Sequence, residues 1–299
     1  MNRNLIDHFL EYLECEKQYS NHTVTAYRRD LKDFKDYCKV EFDQEDFREL
    51  HYNQIRNWVV FLIDKGLKNK TVNRKISSLK TFYNFLQKIE EINNNPLSKH
   101  KSLKIEKNIS IPFTNKEINE VIELLQLKND FEGIRDRLVV ELLYSTGIRR
   151  AELINIKESD INIQERLLKV LGKRNKERFV VLLPFVITTI KNYQKERKKL
   201  KSIEDNNYLL LTKNGVKIYE TLVYRIINSY FRKVSTKVKK SPHILRHTFA
   251  THLLNQGASL YSVKELLGHS SLASTQVYTH SSLEELKQVY NKAHPRELK

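Results

Sequence analysis

The sequence predicts a mainly α-helical protein with one small β-hairpin, organised as two domains. Three observations predict it. Apolar residues recur at helical spacing through the N-terminal third. Asn93-Asn94-Asn95-Pro96 then breaks the pattern, and a lysine-rich stretch without periodicity follows. Finally, strand-like segments at 167–171 and 178–183 flank a basic turn inside an otherwise helical second part. At 299 residues the chain is long enough to bury two separate cores.

The first domain is predicted over residues 1–98 as a helical bundle. Leu5, Phe9, Leu10 and Leu13 make one apolar face, and Val24, Tyr27, Leu31, Phe34 and Tyr37 make a second. A third helix carries Ile55, Trp58, Val59 and Leu62 and stops at Gly66, placed to follow a C-cap. The fourth starts near Asn69 and buries Val72, Ile76, Leu79, Phe82, Tyr83 and Leu86. Its remaining faces hold Lys70, Arg74, Lys75 and Lys80, which makes it a strongly basic helix and a candidate DNA contact. Residues 99–111 read as an extended basic linker.

A second domain is predicted over 112–299, restarting after Pro112 with capping-box spacing at Thr114 and Glu117. The helix bearing Leu138, Val139, Leu142 and Leu143 is expected to end at Gly147. The hairpin turn Gly172-Lys173-Arg174-Asn175-Lys176 puts Arg174, Lys176 and Arg178 forward as further DNA contacts. Ser241 and Pro242 suit N-cap and N1 of a helix that carries His243, Arg246 and His247. Residues 282–293 read as a terminal helix, with capping-box spacing at Ser282 and Glu285 and an apolar stripe of Leu283, Leu286, Val289 and Tyr290.

Composition narrows the function. Lys and Arg total 53 against 36 Asp and Glu, a net charge of +17, which favours a polyanionic partner, nucleic acid ahead of a membrane surface. Two cysteines, Cys15 and Cys38, cannot build a disulfide framework, show no metal-ligand spacing and are read as packing residues in a reducing compartment. The charged N-terminal segment is neither a signal peptide nor an anchor, and the longest apolar run, 58–63, is too short to span a bilayer. A cytoplasmic location is expected. All seven glycines are well separated, which excludes a glycine-rich nucleotide loop.

The residues that carry chemistry are Arg149, Lys173, His243, Arg246, His269 and Tyr278, with Glu152 in support. Arginines neutralise a phosphate, histidines move or donate protons, and a tyrosine oxygen is a nucleophile. His243 lies in the first turn of its helix, where the dipole favours an anion. Glu152, three residues from Arg149, can orient that guanidinium. A zinc site at His243 and His247 is the weaker reading, because Arg246 between them repels a metal. No metal and no cofactor are expected.

The order Arg149, Lys173, His243-x-x-Arg246, His269, Tyr278 resembles the catalytic set of the tyrosine recombinases, and the local words resemble the Xer-type bacterial members. Those words are Thr146-Gly147-Ile148-Arg149-Arg150-Ala151-Glu152-Leu153, His243-Ile244-Leu245-Arg246-His247-Thr248-Phe249-Ala250-Thr251-His252 and Leu266-Leu267-Gly268-His269. Arg174 departs from the pattern, since relatives often have glycine after the lysine.

The resemblance implies an N-terminal domain that grips the recombination core site, a C-terminal tyrosine-recombinase catalytic domain, and cleavage through a 3′-phosphotyrosine. In that scheme His243 is the base, Lys173 protonates the leaving oxygen and Tyr278 is the nucleophile. It also implies a roughly palindromic double-stranded DNA site held between the domains. Homo- or hetero-tetramers assemble through helix 282–293, with a second recombinase and a DNA translocase as partners, at the nucleoid. Chromosome or plasmid dimer resolution is the leading role. A mobile-element integrase, a type IB-like topoisomerase and a non-cleaving DNA-binding protein are the alternatives.

Overall fold

The computed structural model describes residues 4–106, 111–172 and 177–268. The chain divides into two compact units, Met1–Asn108 and Ile109–Lys299. The predicted terminal helix over 282–293 lies outside the described residues.

In the first unit, helix α1 (Leu5–Glu11) runs into a π-helical turn, Tyr12–Glu16, followed by α2 (Asn21–Phe42), α3 (Tyr52–Asp64) and α4 (Asn69–Lys88). Ser20 caps α2, its side chain accepting from the Thr23 amide at 3.4 Å. Gly66, just past the end of α3, has φ +79°, as its predicted place after the C-cap requires. The predicted stripes meet in one core of Phe9, Leu31, Phe34, Trp58, Val72, Leu79 and Phe82, all buried. Each fully buried leucine there contributes about 2 kcal/mol by leaving water. Cys38 joins this core, whereas Cys15 is exposed and does not pack as expected. Burial pushes the Cys38 thiol up to about 12, so it stays protonated.

Two expectations change in this unit. Residues 99–104 are not a free linker. Leu97 is fully buried, and Asn73 donates to the Leu103 carbonyl and accepts from the Leu103 amide, both at 2.9 Å. Asn69 donates to the Lys104 carbonyl at 2.9 Å. These side chains on α4 satisfy backbone groups that an extended segment would otherwise leave to water. The second change concerns Lys75, which is buried rather than on an outer face. Its ammonium reaches Asp33 at 2.5 Å and Asp30 at 3.2 Å, and Asp30 also accepts from Arg74 and from the Ser78 hydroxyl at 2.7 Å.

The second unit is helical around a small sheet. Helices α5 (Asn115–Gln126), α6 (Phe131–Thr146) and α7 (Arg150–Ile154) precede a 3₁₀ turn, Glu158–Asp160. Strands β1 (Ile161–Asn162), β2 (Leu167–Leu171) and β3 (Glu177–Val181) form an antiparallel sheet in that order. The hairpin matches its prediction closely, with Leu167 opposite Val181 and Leu171 opposite Glu177; the two-residue β1 is too short for any alternation to reveal. Helices α8 (Pro184–Arg197), α9 (Glu220–Val234), α10 (Pro242–Asn255) and α11 (Leu260–Leu267) complete the unit.

Helix α6 is its centre, touching α5, α8 and α10, with Leu138, Val139, Val140, Leu142, Leu143 and Tyr144 all buried. Residues 138–146 of α6 are buried on every side, Glu141 among them, paired there with Arg137 at 2.8 Å, so this half of the helix is surrounded. The predicted capping box forms at the start of α5, where Glu117 accepts from the Thr114 amide at 2.7 Å and Thr114 from the Glu117 amide at 3.2 Å. No helix among the described residues is long and apolar enough to cross a membrane.

Candidate active site

The site is built at the corner where α6 ends. Gly147 caps that helix in the left-handed region, φ +61°. A Cβ at this position would lie 2.4 Å from Phe249 Cδ1 and 2.9 Å from Leu267 Cδ2. Glycine therefore does two things: it turns the chain without strain and lets α10 and α11 close onto the turn. The chain then passes buried Ile148 to Arg149, the N-cap of α7.

Glu152, at N3 of α7, organises the corner. Its Oε2 accepts from the Arg149 amide at 2.7 Å and its Oε1 accepts from the Arg149 guanidinium at 2.7 Å. The same two oxygens accept from Arg178, Oε1 at 3.0 Å and Oε2 at 2.8 Å. Arg246 comes from the facing helix, buried, donating to the Gly147 carbonyl and to the Leu267 carbonyl at 2.7 Å. Arg149 also reaches the Gly268 carbonyl at 3.4 Å. Arg149 and Arg246 thus converge on the same two chain segments, the end of α6 and the end of α11.

The charges do not cancel. Three guanidiniums and one carboxylate leave a surplus of positive charge in a partly buried corner. Burial raises the Glu152 carboxyl, but the bonds from Arg178 and Arg149 outweigh it and hold the group below the usual carboxylate range. Arg246 is lowered to about 10, first by burial and then by the nearby Arg149 charge, with Arg178 adding to the effect. Two cations held together in a partly buried corner are stabilised by an anion that takes donors from both, and a phosphodiester has the oxygens to do so.

His243, at the start of α10, is exposed, as is His247. Ser241 and Pro242 occupy the predicted N-cap and N1, although the Ser241 side chain makes no capping bond. Lys173, His269 and Tyr278 lie outside the described residues, as do Arg174 and Lys176. Of the basic-helix candidates, Lys70 and Arg74 are exposed and Lys80 is half-buried.

Arg178, expected at a DNA-facing surface, is buried and engaged with Glu152. Strand alternation could have shown this, because Arg178 shares its face of β3 with Val180, which is also buried. Lys75 had a comparable signal, three residues beyond Val72 and four before Leu79 in the apolar stripe. Sequence reasoning passed over His252. Its Nε2 donates to the Phe113 carbonyl at 2.9 Å, and its Nδ1 therefore accepts from the Tyr144 hydroxyl at 3.0 Å.

Comparison with known proteins is consistent along the chain. Residues 112–285 match the phage integrase family, and residues 6–89 match the phage integrase N-terminal SAM-like domain. The chain is 40% identical over 288 residues to tyrosine recombinase XerC of Staphylococcus haemolyticus (strain JCSC1435), covering 96% of each. It is 38% identical over 288 residues to tyrosine recombinase XerC of Staphylococcus carnosus (strain TM300), again covering 96% of each. Its fold is similar to that of XerH site-specific recombinase bound to palindromic difH substrate, with a TM-score of 0.72 at 21% identity, covering 96% of this chain and 83% of that one. A lambda integrase dimer bound to a core site gives a TM-score of 0.66 at 17% identity, covering 92% and 98%. The arginine corner, the mainly helical two-unit fold and these matches lead to one conclusion: the chain belongs to the phage integrase family, as a Xer-type tyrosine recombinase, an enzyme of site-specific DNA recombination.

Proposed function

We propose that this recombinase cuts one strand of a palindromic duplex site by attack of the Tyr278 oxygen on a backbone phosphorus. The P–O bond to the 5′ oxygen breaks and a 3′-phosphotyrosine bond replaces it. Arg149 and Arg246 hold the non-bridging oxygens as negative charge grows on them, and His269 supplies a further donor. His243 takes the tyrosine proton, which at an ordinary pKa of about 10 needs a base at neutral pH. Lys173 gives a proton to the departing 5′ oxygen, and Glu152 keeps Arg149 in place. The phosphotyrosine conserves the energy of the broken bond, so the freed 5′ hydroxyl of a second strand reverses the attack and completes the exchange.

The observation that carries this reading is the convergence of Arg149 and Arg246 beside Glu152, with donors left over for an anion. The cellular role we assign is dimer resolution of chromosomes or plasmids in the cytoplasm, at the nucleoid. Four recombinase subunits, with or without a second recombinase, would act on double-stranded DNA under the control of a DNA translocase. The likeness to XerC supports that role.

The test is denaturing electrophoresis after mixing the protein with nicked suicide duplexes carrying palindromic Xer-like sites, beside scrambled controls. A slower SDS-resistant band from the wild type, lost in Tyr278→Phe while the mobility shift on the same DNA is retained, supports the mechanism. An SDS-resistant band from Tyr278→Phe would sink it.

A further inference from the structure

The Glu152 carboxylate is saturated in a particular way. Each oxygen accepts once from Arg149 and once from Arg178, at distances between 2.7 and 3.0 Å. Arg178 is buried, grips the carboxylate with both terminal nitrogens, and has its Nε buried without a hydrogen-bond partner among the described residues. Its stem passes under Gly268, where a Cβ would come within 3.0 Å of Arg178 Cδ and 3.1 Å of Nε. One side chain thus joins β3 to the start of α7 and to the C-cap of α11. A buried guanidinium is costly to keep even when paired, which argues for a task beyond packing.

We infer that Arg178 is a positioning residue for strand cleavage: it takes half of the Glu152 carboxylate, so that Arg149 is oriented by that carboxylate without being consumed by it. Carboxylates and guanidiniums pair most strongly in a two-bond fork. With Arg178 present, Arg149 gives Glu152 only one guanidinium bond, from one terminal nitrogen, and the backbone amide supplies the other. The bonds of Arg149 to Glu152 and Gly268 use two of the five guanidinium N–H groups, leaving the rest for phosphate. Without Arg178, Glu152 is a buried carboxylate free to close on Arg149 as a full fork and to cancel its charge. The inference rests on the cleavage reading above and adds a residue to it.

The experiment compares wild type, Arg178→Met, Glu152→Gln and the double variant on the nicked Xer-like duplex, scoring SDS-resistant complex and mobility shift separately. Failure of the wild type to form the complex would overturn the cleavage reading itself, so the two failures are distinct. We expect Arg178→Met to slow covalent capture by on the order of a hundredfold with an unchanged mobility shift, since an oxyanion-type donor is lost in effect. Adding Glu152→Gln removes the excess carboxylate and should recover at least about tenfold of that loss.

A double variant no faster than Arg178→Met overturns the inference, as does wild-type capture by Arg178→Met. Weaker binding by Arg178→Met, with a salt slope smaller by about one, also overturns it, because that is the signature of a direct phosphate contact. Should Arg178→Met unfold on heating below the assay temperature, Arg178→Lys decides. It keeps the charge and loses the fork, so a capture rate reduced about tenfold at equal binding supports the role, and an unchanged rate refutes it.

Discussion

The Tyr144 hydroxyl lies 3.0 Å from His252 Nδ1, and the opposite ring nitrogen lies 2.9 Å from the Phe113 carbonyl. Phe113 is tied a second time, its amide donating to the Thr248 hydroxyl at 2.9 Å. The segment that opens the catalytic unit is therefore fastened to α6 and α10, the two helices that meet at Gly147 and Arg246. Because Nε2 faces a carbonyl it must carry the proton, and the ring works as a neutral relay between two partners.

Stability should fall in mild acid for that reason. Burial lowers the His252 pKa, outweighing the bond to Phe113 that raises it. A histidine depressed in the folded state binds protons more readily when unfolded. It contributes stability above its unfolded pKa of about 6.5 and loses it as pH falls through the lower folded value. Urea unfolding between about pH 8 and pH 5 should show this loss in the wild type. His252→Gln offers a non-titrating donor and acceptor in its place, and should flatten that part of the slope. Equal slopes in the two proteins would mean that His252 is not the titrating group.

Gly147→Ala should be far more damaging than the same change at Gly66. Both glycines have positive φ, +61° and +79°, which alone disfavours alanine by about 1 to 2 kcal/mol. At Gly66 the new methyl meets nothing within 4 Å, whereas at Gly147 it would overlap Phe249 at 2.4 Å. The helices carrying Arg246 and Leu267 must move apart to admit it. We expect Gly66→Ala to cleave normally, and Gly147→Ala to lose both covalent capture and at least about 2 kcal/mol more stability. Comparable unfolding midpoints would count against the close packing of this corner.

In the first unit, Asp30→Ala should destabilise by about 3 to 5 kcal/mol, because it strips a buried lysine of one partner. Asp30 accepts from Arg74, Lys75 and Ser78, and after its removal the Lys75 ammonium keeps Asp33, at 2.5 Å, and the Trp58 ring, 5.9 Å to its centroid. Replacing Lys75 with Met in the same variant should return much of the loss, since the buried charge goes too. Guanidinium unfolding of the single and double variants measures both effects. A double variant as weak as the single would show that the network acts by shape rather than by charge.

DNA binding should weaken steeply with salt, since a chain with net charge +17 gains affinity mainly by releasing counterions from phosphates. From about 50 to about 200 mM salt, a loss on the order of a thousandfold is expected if six or so phosphates are neutralised. Arg246→Ala should reduce that slope by about one and suppress covalent capture on the order of a hundredfold or more. A flat salt dependence would remove the basic surfaces from the binding account.

Much of this protein follows from the sequence alone. Local periodicity identifies the apolar face of α3 residue by residue and most of that of α4, missing Phe85, the capping spacing at Thr114 and Glu117 marks a helix start, and strand pattern locates the hairpin. Arg149, Glu152, His243 and Arg246 are each weak signals taken alone; it is their order, which resembles that of the tyrosine recombinases, that makes them candidates for handling a phosphate. Only the tertiary structure decided which way the charges face. Lys75 and Arg178 count as basic residues in any composition, yet their partners lie 45 and 26 positions away, at Asp30 and Glu152. The docking of 99–104 on Asn69 and Asn73, and the bridge from Phe113 to His252 across 139 positions, are equally non-local. A sequence pattern reports neighbours within a turn or a strand. Whether a charge meets water, a carboxylate or a phosphate depends on which distant segment the fold brings beside it.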